Sequence, residues 1–278
     1  MTHPDKWRET VDINTLVFQN IEIIEILGYP HAGNDVFHVN ILYQGKDTTA
    51  FIKVERQNGA DISNEVDILS KLPFYFCPKI LDYSLTEPRF IVTEEMAGER
   101  LSYIFANKPN TDVKHYLSKQ ASVLSEFHRL KVDCDPVKDR KFFFIPSKEF
   151  CAKYGLEDVH EFLLLNEPFN PQKCFVHGDF HYANILWVDS NISCVLDYEL
   201  SGYGIREFDM AWSVFLRPGQ SFPIFMDEVE SFLKGYKDAY DLSSFHYYYV
   251  LIAAHFFPLG DDEYKKNVNK LIKEAIKL

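Results

Sequence analysis

His177-Gly178-Asp179-Phe180-His181-Tyr182-Ala183-Asn184, with Asp197-Tyr198-Glu199 following after twelve intervening residues, is the stretch on which the reading of this chain turns. Its first part has the form H-x-D-x-x-x-x-N. In kinase-type phosphoryl transfer such a loop sets an aspartate on the acceptor hydroxyl and an asparagine on a magnesium ion, and a later aspartate chelates metal beside the nucleotide phosphates. On that template Asp179 is the base, Asn184 and Asp197 are the metal ligands, and Glu199 is an auxiliary ligand. The flanks have strand character. Cys174-Phe175-Val176 leads into the loop and Ile185-Leu186-Trp187-Val188 leaves it. Asp189-Ser190-Asn191 reads as a turn, and Cys194-Val195-Leu196 as a returning strand that delivers Asp197. Alternation along that strand would set Asp197 and Glu199 on one face. The competing reading is a plain loop whose Asp and Asn side chains cap turns.

A nucleotide site also needs a lysine on a buried strand and a helix glutamate to hold it. Thr49-Ala50-Phe51-Ile52-Lys53-Val54 places one lysine among apolar residues, and lysines are rarely buried unpaired. Eight residues on, Asp61 or Ser63 can cap a helix carrying Ile62, Val66 and Leu69 at helical spacing. Glu65 lies one turn before Leu69 and shares its inward edge. Lys53 and Glu65 are therefore the candidate phosphate anchor, against the alternative of a strand-edge lysine and a solvated glutamate.

These residues resemble the aminoglycoside phosphotransferase and choline kinase superfamily, the small-molecule relatives of protein kinases. The likeness rests on Lys53, Glu65, the HGDFHYANIL segment at 177–186, LDYELSGYG at 196–204, and Glu207-Phe208-Asp209-Met210-Ala211-Trp212, and it spans about residues 21–212. It implies an α+β, bilobal, protein-kinase-like fold. The small N-terminal lobe (1–97) would hold nucleotide on an antiparallel sheet plus one helix, and the larger, mainly helical C-terminal lobe (98–278) would carry catalysis and the acceptor. It further implies ATP as co-substrate, with GTP left open, and Mg²⁺ as cofactor. Asp209 would bond back to the catalytic loop, His177 would anchor that loop, and His181 would stand near the acceptor. Glu95 and Ala97, at the crossover between lobes, would meet the adenine edge through the backbone.

Two departures narrow the class. Strands at 21–27 and 36–43 flank Gly28-Tyr29-Pro30-His31-Ala32-Gly33-Asn34-Asp35, where protein kinases carry G-x-G-x-x-G. Gly33, Asn34 and Asp35 are candidate nucleotide contacts, and a plain hairpin turn reads equally well. No G-x-x-x-x-G-K-[ST] occurs, which excludes a P-loop kinase. Only eleven residues separate Asp197 from Asp209. That leaves no room for D-F-G, an activation loop and A-P-E, so no platform for a peptide substrate is expected. The acceptor is expected to be a small molecule.

Bulk properties agree. With 278 residues, 46% of them hydrophobic, the chain can build a full core. No apolar run reaches transmembrane length, and residues 1–8 lack the apolar stretch of a signal peptide. Five scattered cysteines without C-x-x-C argue for reduced thiols, a cytoplasmic setting and no zinc site. The net charge of −12 argues against a nucleic-acid partner.

Between His177 and Glu263, fourteen acids face four bases, a net of −10. Such a region would concentrate a cationic acceptor, with Asp227 and Glu230 as candidate contacts, or it is simply a solvated surface. Phe245, Tyr247-Tyr248-Tyr249 and Phe256-Phe257 offer either a cation-binding aromatic box or a packed helix. The expected activity is ATP- and Mg²⁺-dependent transfer of a phosphoryl group to the hydroxyl of a small, cationic acceptor, aminoglycoside-like or another amine. The alternatives are a metabolic choline, ethanolamine, sugar or amino-alcohol kinase, and a non-catalytic nucleotide-binding module. The sequence is silent on oligomeric state.

Overall fold

Alternating burial along both strands makes residues 35–54 a hairpin with one dry face. In β2 (Asp35–Tyr43), which follows β1 (Ile21–Gly28), Phe37, Val39 and Ile41 are fully buried. In β3 (Lys46–Val54) Ala50, Ile52 and Val54 point the same way, and Lys53 between the last two faces the opposite side. Each such apolar side chain removed from water contributes about 2 kcal/mol of transfer free energy. The computed structural model describes residues 9–30, 33–56, 60–73, 77–108 and 111–277. Residues 1–8, and His31 and Ala32 of the expected nucleotide loop, lie outside the described residues.

The chain divides into two compact units. The first comprises Met1–Glu99, Leu186–Val188 and Ser193–Ser201; the second comprises Arg100–Ile185, Asp189–Ile192 and Gly202–Leu278.

In the first unit, α1 (Ile62–Lys71) starts at Asp61, whose side chain accepts from the Asn64 N–H. β4 (Ile80–Ser84) and β5 (Phe90–Glu94) complete an antiparallel sheet of order β1-β2-β3-β5-β4. In it Lys53 pairs with Val36 on one side and Ile91 on the other. The buried Asp82 carboxylate takes the backbone N–H groups of Gln19, Asn20 and Tyr83, which ties the segment before β1 to the sheet. Ile13 and Leu16 thereby join the core formed by Phe37, Ile52 and Phe90.

The second unit is mainly helical. β6 (Glu99–Arg100) leads into α2 (Leu101–Asn107) and α3 (Val113–Arg129). Asp112 caps α3, its carboxylate accepting from the Lys114 N–H, while the Thr111 hydroxyl turns back to the Lys108 carbonyl. α4 (Lys148–Lys153), α5 (Glu157–Leu165) and β7 (Lys173–Val176) follow. β8 (Ile185–Val188) and β9 (Asn191–Val195), most of whose residues belong to the first unit, are joined by a two-residue turn, Asp189-Ser190, both with positive φ. β10 (Gly202–Ile205) pairs antiparallel with β7. The chain ends in α6 (Arg206–Val214), α7 (Met226–Gly235), α8 (Leu242–Phe256) and α9 (Asp262–Ala275). Phe245, Tyr247, Tyr248 and Tyr249 are all buried, so α8 is apolar nearly all round and lies in the core. No helix among the described residues is long and apolar enough to cross a membrane.

Helices α3 and α7 approach so closely that a Cβ on Gly235 would lie 2.2 Å from the Ser118 carbonyl oxygen and 2.6 Å from its Cα. The obstruction is backbone and cannot swing aside. Gly235→Ala should therefore lower stability by about 2 kcal/mol, read as a shift in the urea midpoint. An unchanged midpoint would show that the two helices separate without penalty.

Candidate active site

In the first unit the site is built around one ammonium group. Lys53 Nζ lies 2.8 Å from Glu65 Oε2, 2.5 Å from Asp197 Oδ1 and 3.0 Å from Glu199 Oε2. β3 supplies the lysine because its neighbours Ile52 and Val54 fix the strand face, and α1 supplies Glu65 from its buried first turn. The expected partnership of Lys53 with Glu65 is therefore present, and it is joined by two further carboxylates. Glu65 also accepts from the Tyr198 N–H at 3.3 Å.

The expected geometry of Asp197 requires a correction. β9 ends at Val195, and Asp197 has φ +70°, so strand alternation does not place it. A left-handed conformation costs a non-glycine residue about 1 kcal/mol, and aspartate tolerates it better than most. Glu199 arrives on the same ammonium through the following turn. Two side chains hold that turn. Asn64 donates to the Glu199 and Ser201 carbonyls at 3.0 and 2.9 Å, and Asn34 donates to Glu199 Oε2 at 3.0 Å. Asn34, a candidate nucleotide contact, is thus buried and committed to Glu199; Gly33 precedes it in the loop. Asp35 is taken up by Arg56 and the Val11 N–H.

Electrostatics follow from this crowding. Burial pulls the Lys53 ammonium down, but Glu65, Asp197 and Glu199 more than offset that and hold it well above the usual lysine range. Burial pushes the Glu65 and Glu199 carboxyls up, and Lys53 only partly reverses it. One cation therefore faces three carboxylates whose ligand atoms lie within 4.8 Å of one another. An all-oxygen set with excess negative charge fits a hard divalent cation such as Mg²⁺. Of the expected crossover contacts, the Glu95 N–H donates to the Thr49 carbonyl and its carboxylate meets His38 at 3.1 Å. The Ala97 carbonyl accepts from Ser193 Oγ at 2.6 Å.

In the second unit the catalytic-loop motif is pinned from behind by Asp209. Its carboxylate accepts from the His177 N–H at 3.0 Å and the Gly178 N–H at 2.9 Å, and His128 Nε2 lies 3.2 Å away. Two successive N–H groups can converge on one carboxylate because Gly178 has φ +80°, which only glycine adopts without strain. His177 is fully buried, and its Nδ1 accepts from the Asp179 N–H.

Asp179 is held by three side chains. Trp212 Nε1–H donates to Oδ1 at 2.7 Å, the Asn184 amide donates to Oδ2 at 3.0 Å, and His181 Nε2 lies 3.4 Å from Oδ2. His181 Nδ1 accepts from the Ala183 N–H, which puts the ring proton on Nε2, facing Asp179. Burial alone would raise the Asp179 carboxyl. His181, Arg217 and Trp212 outweigh it and hold the group far below the usual carboxylate range. Asn184 also reaches the Asp179 carbonyl with its NH₂, so the amide oxygen is the end that points elsewhere.

The acids expected to draw a cationic acceptor have local partners. Asp227 pairs with Lys114, Glu230 with Lys234, Asp238 with Arg129 and Glu207 with Arg206. Glu228, Asp241 and Asp261 hold backbone N–H groups at helix starts. Beside Asp179 stand cations instead. The Arg140 and Arg217 guanidinium carbons lie 4.9 and 5.1 Å from the Trp212 ring centre, and Arg217, lowered to about 10 by burial, is attracted to Asp179.

Sequence reasoning missed His128, Arg140, Arg217 and the grip of Asn64, and saw Trp212 only as part of a motif. Trp212 lies three residues after Asp209 on a helix, hence on the same face, and that spacing was a usable signal. Nothing in the sequence marks the others.

A family model described as the phosphotransferase enzyme family matches residues 48–250. No curated protein matches the chain. Among solved structures the fold resembles that of choline kinase from Cryptosporidium parvum Iowa II, with 15% identity over 93% of this chain and 88% of that one, at a TM-score of 0.57. Plasmodium vivax ethanolamine kinase shares 14% identity over 92% of this chain and 81% of that one, at a TM-score of 0.56. Spectinomycin phosphotransferase, in complex with ADP and spectinomycin, shares 12% over 94% and 92%, at a TM-score of 0.55. At these identities the likeness concerns the fold. With most of its length covered by the family model, the chain belongs to the phosphotransferase enzyme family.

Proposed function

We propose that the chain moves the γ-phosphoryl group of ATP to a hydroxyl of a small-molecule acceptor, with Mg²⁺ as cofactor. The observation that carries this reading is the Lys53 ammonium in contact with three carboxylates, a charge arrangement suited to Mg²⁺–triphosphate and hard to account for as mere scaffolding.

In this reading Glu65 fixes Lys53 toward the phosphate oxygens. Asp197 and Glu199 would hold Mg²⁺, which when bound offsets the charge of the phosphates. Asp179 is an ionised acceptor at neutral pH. It orients the acceptor hydroxyl and receives its proton as the new oxygen–phosphorus bond forms. Because that carboxylate is a weak base, positioning carries more of the rate than proton affinity. Trp212, Asn184 and His181 supply the positioning.

For the acceptor, an amine-bearing alcohol like those named for the structural neighbours is one reading. The pairing of Asp227, Glu230 and Asp238 with basic partners favours a second, in which the acceptor is not gathered by an acidic surface and is neutral or anionic. A coupled ADP-release screen over aminoglycosides, choline and ethanolamine analogues, sugars and hydroxy acids decides between them.

Two substitutions test the chemistry. Asp179→Asn should lower kcat by about 10³-fold while nucleotide affinity, measured by calorimetry, stays within about twofold. A kcat near that of the wild type would remove Asp179 from the reaction. Lys53→Met leaves three carboxylates facing one another with no cation. Mg²⁺ should then raise the melting temperature of the variant more than that of the parent, and ATP binding should weaken at least about tenfold. Equal responses to Mg²⁺ in the two proteins would argue against a metal among these carboxylates.

A further inference from the structure

A cavity of about 290 Å³ lies within the second unit, walled by Val137, Phe143, Tyr203 and Phe208 and by the side chain of Arg140. Taking a water's share of volume for each non-hydrogen atom, it has room for about ten such atoms. Its walls are mostly apolar and aromatic, and the strand pair β7 and β10 forms one side. Two residues of the catalytic-loop support, Gly178 and Asp209, also line it, whereas Asp179 does not.

Arg140 is the unusual member. Its guanidinium carbon lies 5.1 Å from the ring centre of Phe143, 5.7 Å from Phe208 and 4.9 Å from Trp212. A guanidinium carries five N–H donors. Among the described residues no carboxylate or carbonyl takes a hydrogen bond from this one; its surroundings are ring faces. Arg140 is half-buried: ring faces cover its plane and accept none of its N–H donors, which stay open to the cavity and to solvent. The other charges on the cavity do not fill that role. Asp209 is already engaged by the His177 and Gly178 N–H groups and by His128. Asp139 and Lys173 are exposed. What the cavity presents to a ligand is an apolar slot with a fork of unused donors, and an oxyanion on an aromatic or apolar body is its complement.

We propose that this cavity is a second ligand site, distinct from the acceptor's, that binds a small organic anion (a carboxylate or phosphate monoester on an apolar body) through Arg140. Occupancy reaches the reaction by a short path. Arg140 stacks on Trp212, and the Trp212 indole N–H holds Asp179. An anion that draws the guanidinium toward itself changes the field and the packing on that indole, so the site acts on Asp179 without touching it. Burial lowers the Arg140 pKa and the attraction of Asp179 and Asp209 raises it, which agrees with a cation that already senses Asp179.

The test uses the full-length chain and phenyl phosphate as the probe, with benzoate as a second anion and benzyl alcohol as an uncharged control. Calorimetry should show one saturable phenyl phosphate site per chain, with benzyl alcohol at least about tenfold weaker. The chain has three tryptophans. The Trp212 indole N–H resonance, identified as the one lost in Trp212→Phe, should shift with the same saturation. Arg140→Gln should weaken phenyl phosphate at least about tenfold. Lys173→Glu, at an exposed strand position where folding is not at stake, should weaken it about threefold by repulsion. The proposal is overturned if neither anion binds, or if Arg140→Gln binds phenyl phosphate as the parent does. Should Arg140→Gln fail to fold, unchanged binding in Lys173→Glu overturns it instead. Competition between phenyl phosphate and the acceptor found by the screen would overturn the assignment to a second site. None of these binding readouts requires turnover, so they stand apart from the test of the phosphotransferase reading.

Discussion

The Lys53 ammonium enclosed by Glu65, Asp197 and Glu199 sets the terms for the first unit. Removing one partner from a buried ion pair costs about 3–5 kcal/mol, so each of these groups constrains where the others can go. The strand must present Lys53 away from the core formed by its neighbours. The helix must start at Asp61, so that Glu65 falls in its first, inward turn. The chain beyond β9 must leave strand geometry at Asp197 to bring two acids onto one nitrogen. A backbone position with φ +70° is tolerated at a residue with a charged side chain because the ion pair over-determines it.

The same rule governs the second unit with different chemistry. Asp209 is buried and satisfied by two backbone N–H groups and an imidazole, and the loop conformation it selects needs glycine at 178. Trp212 grows from the same helix three residues on and fixes Asp179. Helix α6 thus carries both the pin that shapes the loop and the donor that aims its carboxylate. Arg140 is held differently, against the rings of Phe143, Phe208 and Trp212, with Asp179 and Asp209 attracting it without a hydrogen bond among the described residues.

What the sequence disclosed and withheld follows physical lines. The H-x-D-x-x-x-x-N spacing, the lone lysine in an apolar strand and the helix glutamate were legible because each is a local pattern with a chemical purpose. Alternation and helical periodicity located β2, β3 and α1 for the same reason. The path at Asp197 was not legible, since a positive φ at an aspartate leaves no trace in composition. Nor was the state of the acids. A count of −10 between His177 and Glu263 treats Asp227 and Asp238 as free charge, while the partners that offset them, Lys114 and Arg129, lie on α3, outside the counted stretch. Charge read along a chain carries no information about pairs made across the fold. His128 was hidden likewise: a buried imidazole near the end of a helix looks like any other polar residue until Asp209 and Tyr236 are seen on either side of it.

Asn64 and Glu65 are adjacent on α1, yet they reach different parts of the same cluster: Glu65 takes the ammonium and the Tyr198 N–H, and Asn64 takes the carbonyls of Glu199 and Ser201. Sliding or tilting this helix cannot loosen one acid and spare its neighbour. A shift of α1 would carry the Glu65 carboxylate and the anchor of the Glu199 turn together, so two of the three acids on Lys53 answer to one helix.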